Sequence, residues 1–144
     1  MVYSFSCADQ AIKAEKVTEA ILSCNQLQDA GGIGFFIGQV RADEDDVKKV
    51  IAIEYTGYEP MIKQVSQDII HEIGLEFDLK AIYVIHSLGH VRVGEMCLMV
   101  CTASKSRKNA LEGCQKLVER IKNELPIWGK EIFDNNNTSW KINS

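Results

Sequence analysis

Apolar positions recur along this chain at two spacings, and the switches between them mark its elements. Asp9 to Cys24 places Ile12, Val17, Ala20, Ile21 and Cys24 at helical spacing and predicts a first helix. Asp29-Ala30-Gly31-Gly32 breaks that pattern as a loop. Ile33 to Val40 is apolar on both faces, which predicts a central strand, and its glycines imply that something packs close to its backbone. After an acidic turn over Ala42 to Asp46, Val47 to Tyr58 alternates through Ile51, Ile53 and Tyr55 as a second strand. Pro60 suits the first turn of a helix whose inner side is Met61, Ile62, Val65, Ile69 and Ile73. Ala81 to His86 and Glu95 to Ala103 predict two more strands, joined by a hairpin connection that holds Gly89 and Gly94. A last amphipathic helix starts at Leu111 and runs into Pro126-Ile127-Trp128-Gly129-Lys130-Glu131. Its stripe is Leu111, Cys114, Leu117, Val118, Ile121 and Leu125. Asp134 to Asn137 then predicts the turn of a short final hairpin that includes Trp140.

Paired strands between helices predict an α+β fold, with a mainly antiparallel sheet and helices packed on one face. No repeat, linker or low-complexity stretch divides the chain, so residues 1–144 are expected to form one domain. The final helix carries the most informative residue. Lys122 falls on the edge of the apolar stripe, beside Leu111 and Val118, whereas Glu112, Lys116, Glu119, Arg120 and Asn123 occupy the exposed arc. A lysine at such a border often buries its stem and lets its head reach water. A partly desolvated ammonium is also suited to proton transfer or nucleophilic work.

Composition narrows the classes. An apolar content of 46% with 25% charged residues describes a globular protein, and the net charge of −4 argues against nonspecific nucleic-acid binding. No apolar run approaches the roughly 20 residues needed to span a bilayer. Met1-Val2-Tyr3-Ser4 lacks a charged, apolar leader pattern, so a cytoplasmic protein is expected. The cysteines Cys7, Cys24, Cys97, Cys101 and Cys114 are scattered and read as buried reduced thiols. Cys97 and Cys101 share a strand face without zinc-ligand spacing or a histidine pair, so no metal and no cofactor are expected.

No phosphate loop, dinucleotide fingerprint or nucleophile elbow is present. The remaining candidates are cations at element ends: Arg41 after the buried strand, Arg107 in Ser104-Lys105-Ser106-Arg107-Lys108, and Lys130 with Glu131. Arg107 and Lys105 beside the N–H groups of a helix start would attract an anion, although such a cluster is equally at home in solvent. His86 ends an apolar strand and reads as a satisfied structural group, and His71 and His90 lack partners at metal-ligand spacing. Trp128 and Phe133 read as core anchors, and Asp43 to Asp46 as a solvated charge run.

Taken together, several stretches resemble the large, catalytic subunit of molybdopterin synthase, the MoaE family. They are Gly34-Phe35-Phe36-Ile37-Gly38-Gln39-Val40-Arg41, Glu54-Tyr55 through Tyr58 with Met61, and Ile85-His86-Ser87-Leu88-Gly89 with Val93-Gly94-Glu95. Arg107 with Ala110-Leu111-Glu112, then Ile121-Lys122, Pro126-Ile127-Trp128 and Lys130-Glu131, complete the match in the family's order. The resemblance implies an α+β fold with a hammerhead-like subdomain. It implies conversion of cyclic pyranopterin monophosphate into the molybdopterin dithiolene. Sulfur would arrive as a thiocarboxylate on the C-terminal Gly-Gly of a ubiquitin-like small subunit, within a heterotetramer built on a homodimer of large subunits. Lys122, Lys130 and Arg41 would then be catalytic, with Arg107, Ser106, Glu131, Phe36 and Met61 binding or shaping around the substrate. Two positions depart from the family pattern: Gly129 stands where a lysine is usual, and Ser106 where a histidine is usual. Either Lys130 substitutes for the former or activity is reduced, and Gly129→Lys is expected to preserve or raise activity. Loss of pocket residues leaves a partner-binding scaffold of the same fold as the alternative, and an unrelated α+β binder of another small anion as a third reading.

Overall fold

The computed structural model describes residues 1–141. Their order is β1 (Val2–Asp9), α1 (Ala14–Asn25), β2 (Gly32–Gln39), β3 (Val50–Gly57), α2 (Glu59–Glu76) and β4 (Leu79–Arg92). β5 (Met96–Ser104), α3 (Arg107–Glu124), β6 (Ile127–Phe133) and β7 (Thr138–Trp140) follow. The strands form a seven-stranded sheet in the order β2-β5-β4-β3-β6-β7, with β1 against β4. β1 runs parallel to β4, with Val2 opposite Ala81 and Asp9 opposite Leu88, and the other pairings are antiparallel. The expected α+β class holds.

Side-chain alternation on β4 and β5 sorts two cores. Ile82, Val84, Leu98 and Val100 face one side, where α2 and α3 bury Ile62, Ile69, Ile73, Leu117 and Ile121. Ala81, Met99, Cys101 and Ala103 face the other, against Ala20 and Cys24 of α1. So α2 and α3 share one face as expected, and α1 covers the opposite one. A strand covered on both faces has a continuous apolar sequence, and β5 reads that way from Met96 to Cys101.

α3 approaches β2 where glycine leaves room. A Cβ at Gly34 would stand 2.6 Å from both the Ala110 carbonyl oxygen and Thr102 Oγ1. Those two atoms are hydrogen-bonded, Thr102 Oγ1 donating to Ala110 at 2.7 Å. The close packing expected over this strand is therefore the docking of α3.

Several boundaries differ from the sequence pattern. β1 had no predicted counterpart; its half-buried Tyr3, Phe5 and Cys7 alternate with exposed Val2, Ser4 and Ser6. α1 begins at Ala14 because Asp9 still belongs to β1, and Gln10 turns the chain with φ 67°. β4 continues through the expected hairpin connection to Arg92. At Leu88 its pairing with β1 ends, and at Gly89 its pairing with β3 begins. Gly89 has φ 85°, a left-handed conformation that glycine takes without strain. α3 starts at Arg107, capped by Ser106 Oγ, which accepts from the Asn109 N–H at 3.1 Å. Leu111 is 59% exposed, so the apolar stripe starts one residue earlier, at Ala110.

Candidate active site

α3 ends where Pro126 forbids another turn: Leu125 is extended with φ −66° and ψ 135°. The chain passes directly into β6, so the last turn of α3 closes a small pocket of about 40 Å³ over the sheet. Tyr55 of β3, His86 of β4, Cys97 of β5, Lys122 of α3, Gly129 of β6 and Lys141 beyond β7 line it. Lys122 is half-buried there, and its ammonium lies in the last helical turn, where the carbonyl end of the helix dipole favours a cation. The border position read from the helix pattern is therefore the wall of a pocket.

His86 lines the same pocket as a neutral group. Its Nδ1 lies 2.8 Å from the Ser87 carbonyl oxygen. A carbonyl only accepts, so Nδ1 carries the proton and Nε2 keeps its lone pair. The ring meets Tyr55 edge-on at 5.3 Å and 83°. Burial pushes the His86 pKa down to about 4, with the Lys122 charge pushing the same way against the Ser87 bond. Burial, then the Cys97 thiol, raises Tyr55, so the phenol also stays neutral. The pocket thus places the Lys122 ammonium near two groups that stay neutral.

The His86 shift carries a stability signature. Between the ordinary value of 6.5 and about 4, the unfolded chain binds a proton that the folded chain refuses. Stability therefore falls as pH drops through that window and is unaffected by His86 above it. Urea unfolding is expected to show wild type losing about 2–3 kcal/mol more than His86→Gln between about pH 7.5 and about pH 4.5. Parallel losses in the two proteins would refute the assignment.

The other sequence candidates are not all brought together. Exposed Arg41 forms a bidentate pair with Asp43, Nε to Oδ1 at 2.6 Å and Nη2 to Oδ2 at 3.1 Å. Glu131 acts electrostatically on Arg41, and Lys141 on Asp43, so these four charges share a rim beside the pocket. Lys130 lies elsewhere. Strand alternation turns it away from the face of Gly129, and its Nζ lies 5.2 Å from the Trp140 ring centroid. It does not line the pocket as a substitute for the absent lysine. Phe36 does not line the pocket; it packs against the core cluster that includes Leu98 and Ile121. Met61 is 52% exposed on α2 and does not line the pocket. Ser106 and Arg107 stand at the opposite end of α3, about 22 Å from Lys122 at 1.5 Å per residue.

Gly129 is enclosed on its side-chain face. A Cβ would stand 2.9 Å from Ile53 Cγ2 and 3.1 Å from Tyr55 Cε1. Gly129→Lys, expected from the resemblance to be harmless, is now expected to destabilise by about 1–3 kcal/mol through overpacking. An unchanged Tm would show that Ile53 and Tyr55 yield freely.

Sequence reasoning passed over Lys141, whose signal is a register available only once β6 and β7 are paired. A wider cleft of about 910 Å³ lies between β1 and α2. Glu59, Asp68 and Glu72 outnumber Lys63 there, so it offers an anion no positive field. Among the described residues no three His, Cys, Asp or Glu side chains are placed to hold a metal ion, and no helix is long and apolar enough to cross a membrane.

An α+β sheet that carries a cation pocket at the helix-to-strand corner after α3 defines the class. The chain matches the family described as MoaE protein over residues 7–124, and it belongs to that family. A Thermoplasma volcanium molybdopterin synthase catalytic subunit is 35% identical over 112 residues, covering 78% of this chain and 81% of that protein. A Drosophila willistoni protein of the same name is 36% identical over 115 residues, covering 78% of this chain. This chain spans only 31% of that fly relative's length. The fold is that of a Helicobacter pylori structure of the complex of subunits 1 and 2 of molybdopterin-converting factor. The TM-score is 0.79 at 24% identity, with 94% of this chain and 88% of that one covered.

Proposed function

We propose that this chain acts as the catalytic subunit of a molybdopterin synthase, transferring sulfur to cyclic pyranopterin monophosphate to build the dithiolene. The observation that carries the proposal is Lys122, half-buried beside a neutral histidine in a pocket of about 40 Å³. A site that small holds a few waters or a carboxylate-sized head. It suits the end of a thiocarboxylated tail better than a whole pterin, which would lie outside it. Lys122 would hold the thiocarboxylate and manage a proton as sulfur adds to the substrate. Enclosure would limit loss of the activated sulfur to water.

The sulfur donor would be a ubiquitin-like small subunit ending in Gly-Gly. The Helicobacter pylori structure, a complex of subunits 1 and 2, supports a second-subunit partner for this fold. Arg41 and Glu131 would face the substrate from the charged rim. Ser106 and Arg107 are too far along α3 to reach the Lys122 of their own chain, so they would join its pocket only from a second copy in a homodimer. Phe36 would support the pocket floor.

Dithiolene formation from cyclic pyranopterin monophosphate, with purified chain and thiocarboxylated small subunit, tests the proposal. Product is the expected outcome. Tight small-subunit binding without product would replace it with the scaffold reading, and response to simple phosphates alone would replace it with another anion binder.

A further inference from the structure

We infer that Lys141 is the second anion-binding cation of the Lys122 pocket and supplies, from across the hairpin, the charge that position 129 has no room to carry. The inference rests on the proposed reading of the pocket as the seat of a thiocarboxylate tail and names a further residue for it.

The argument starts from register. In the β6–β7 hairpin, Glu131 pairs with Ser139 and Lys130 with Trp140. The next antiparallel step sets Gly129 opposite Lys141, and the Lys141 N–H donates to the Gly129 carbonyl at 2.8 Å. Directly opposed residues of an antiparallel pair project from the same face with Cβ atoms about 5 Å apart. A side chain at 141 therefore leaves the sheet on the face that a side chain at 129 would use. Alternation places Lys130 and Trp140 together on the other face, as their ring contact confirms.

Space decides between the two positions. At 129, Ile53 and Tyr55 already fill the volume of a first side-chain carbon. Lys141 lines the pocket with Lys122. It also lines an adjoining aromatic groove of about 450 Å³ with Trp128 and Trp140. Lys141 thus stands where a closed, tail-sized site meets an open one wide enough for a planar ring compound. Its charge is also felt at Asp43 on the rim, but Asp43 already has both oxygens engaged by Arg41.

The test compares wild type with Lys141→Met and Lys141→Arg in the full chain. Steady-state dithiolene formation is measured against thiocarboxylated small subunit. Calorimetric titration then uses the small subunit in its carboxylate form, with and without its last two glycines. Lys141→Met is expected to raise KM for the small subunit about tenfold, more than it lowers kcat, and to erase the affinity contributed by the two glycines. Lys141→Arg is expected to restore both within about threefold. An unchanged KM, a tail contribution that survives in Lys141→Met, or an arginine variant as poor as methionine would overturn the inference, as would wild-type binding without any tail contribution. Absence of product from wild type, with tail-dependent binding that still requires Lys141, would overturn sulfur transfer instead and leave the anion-binding role of Lys141 standing.

Discussion

Lys122→Ala is expected to lower kcat for dithiolene formation by about 10²–10³-fold, the usual effect of removing a charge-stabilising donor from an enclosed site. The fold should persist. Lys122 is half-buried, and the residues that anchor α3 on the sheet are Ala110, Cys114, Leu117 and Ile121. Removing the ammonium also removes a charge that opposes protonation of His86. The His86 titration, followed by NMR, should therefore move up slightly from about 4, with burial still holding it below its ordinary range, which reports on the pocket independently of turnover. Turnover within about threefold of wild type would end the assignment of Lys122 to the chemistry.

Gly34→Ala is expected to damage the fold strongly. The new carbon would meet the Ala110 carbonyl oxygen and Thr102 Oγ1, both at 2.6 Å, at the bond that joins α3 to β5. Relief requires α3 to lift or Thr102 to lose its partner. Overpacking and an unmade buried hydrogen bond each cost about 1–3 kcal/mol, so a loss of about 3 kcal/mol is expected. For a chain of this size that lowers Tm by about 6–12 °C. Gly38→Ala is the contrast: its nearest atoms are Phe36 Cε1 at 3.3 Å and Leu98 Cβ at 3.4 Å, which give more readily than backbone. Equal Tm losses in the two variants would mean that helix docking is not what the Gly34 position protects.

The elements most legible in the sequence were those whose neighbours lie on one side. α2 and α3 show their buried faces at helical spacing, whereas β3 keeps the expected alternation only from Ile53 onward, because Ile51 is exposed where the register shifts between Val50 and Ala52. β1 was missed because its apolar residues are separated by serines and its partner, β4, lies more than seventy positions away. β4 was cut short because Gly89 resembles a turn locally, whereas in the sheet it marks the transfer of pairing from β1 to β3.

The candidate site divides along the same line. Lys122 was legible because its position depends on the periodicity of one helix and on a proline that ends it, both local properties of the chain. Family membership followed from motifs that are likewise local, and it is borne out over residues 7–124. The meeting of Lys122 and a neutral His86 in one pocket, the engagement of Arg41 by Asp43, and the turning of Lys130 towards Trp140 depend on which strands lie side by side. The exchange of Gly129 for Lys141 depends on it most. Residues twelve positions apart become cross-strand neighbours through hairpin register, and Ile53 and Tyr55 on a third strand crowd a side chain at position 129. Periodicity is written along one element, whereas register and crowding arise between elements, so only the folded sheet selects which lysine reaches the pocket.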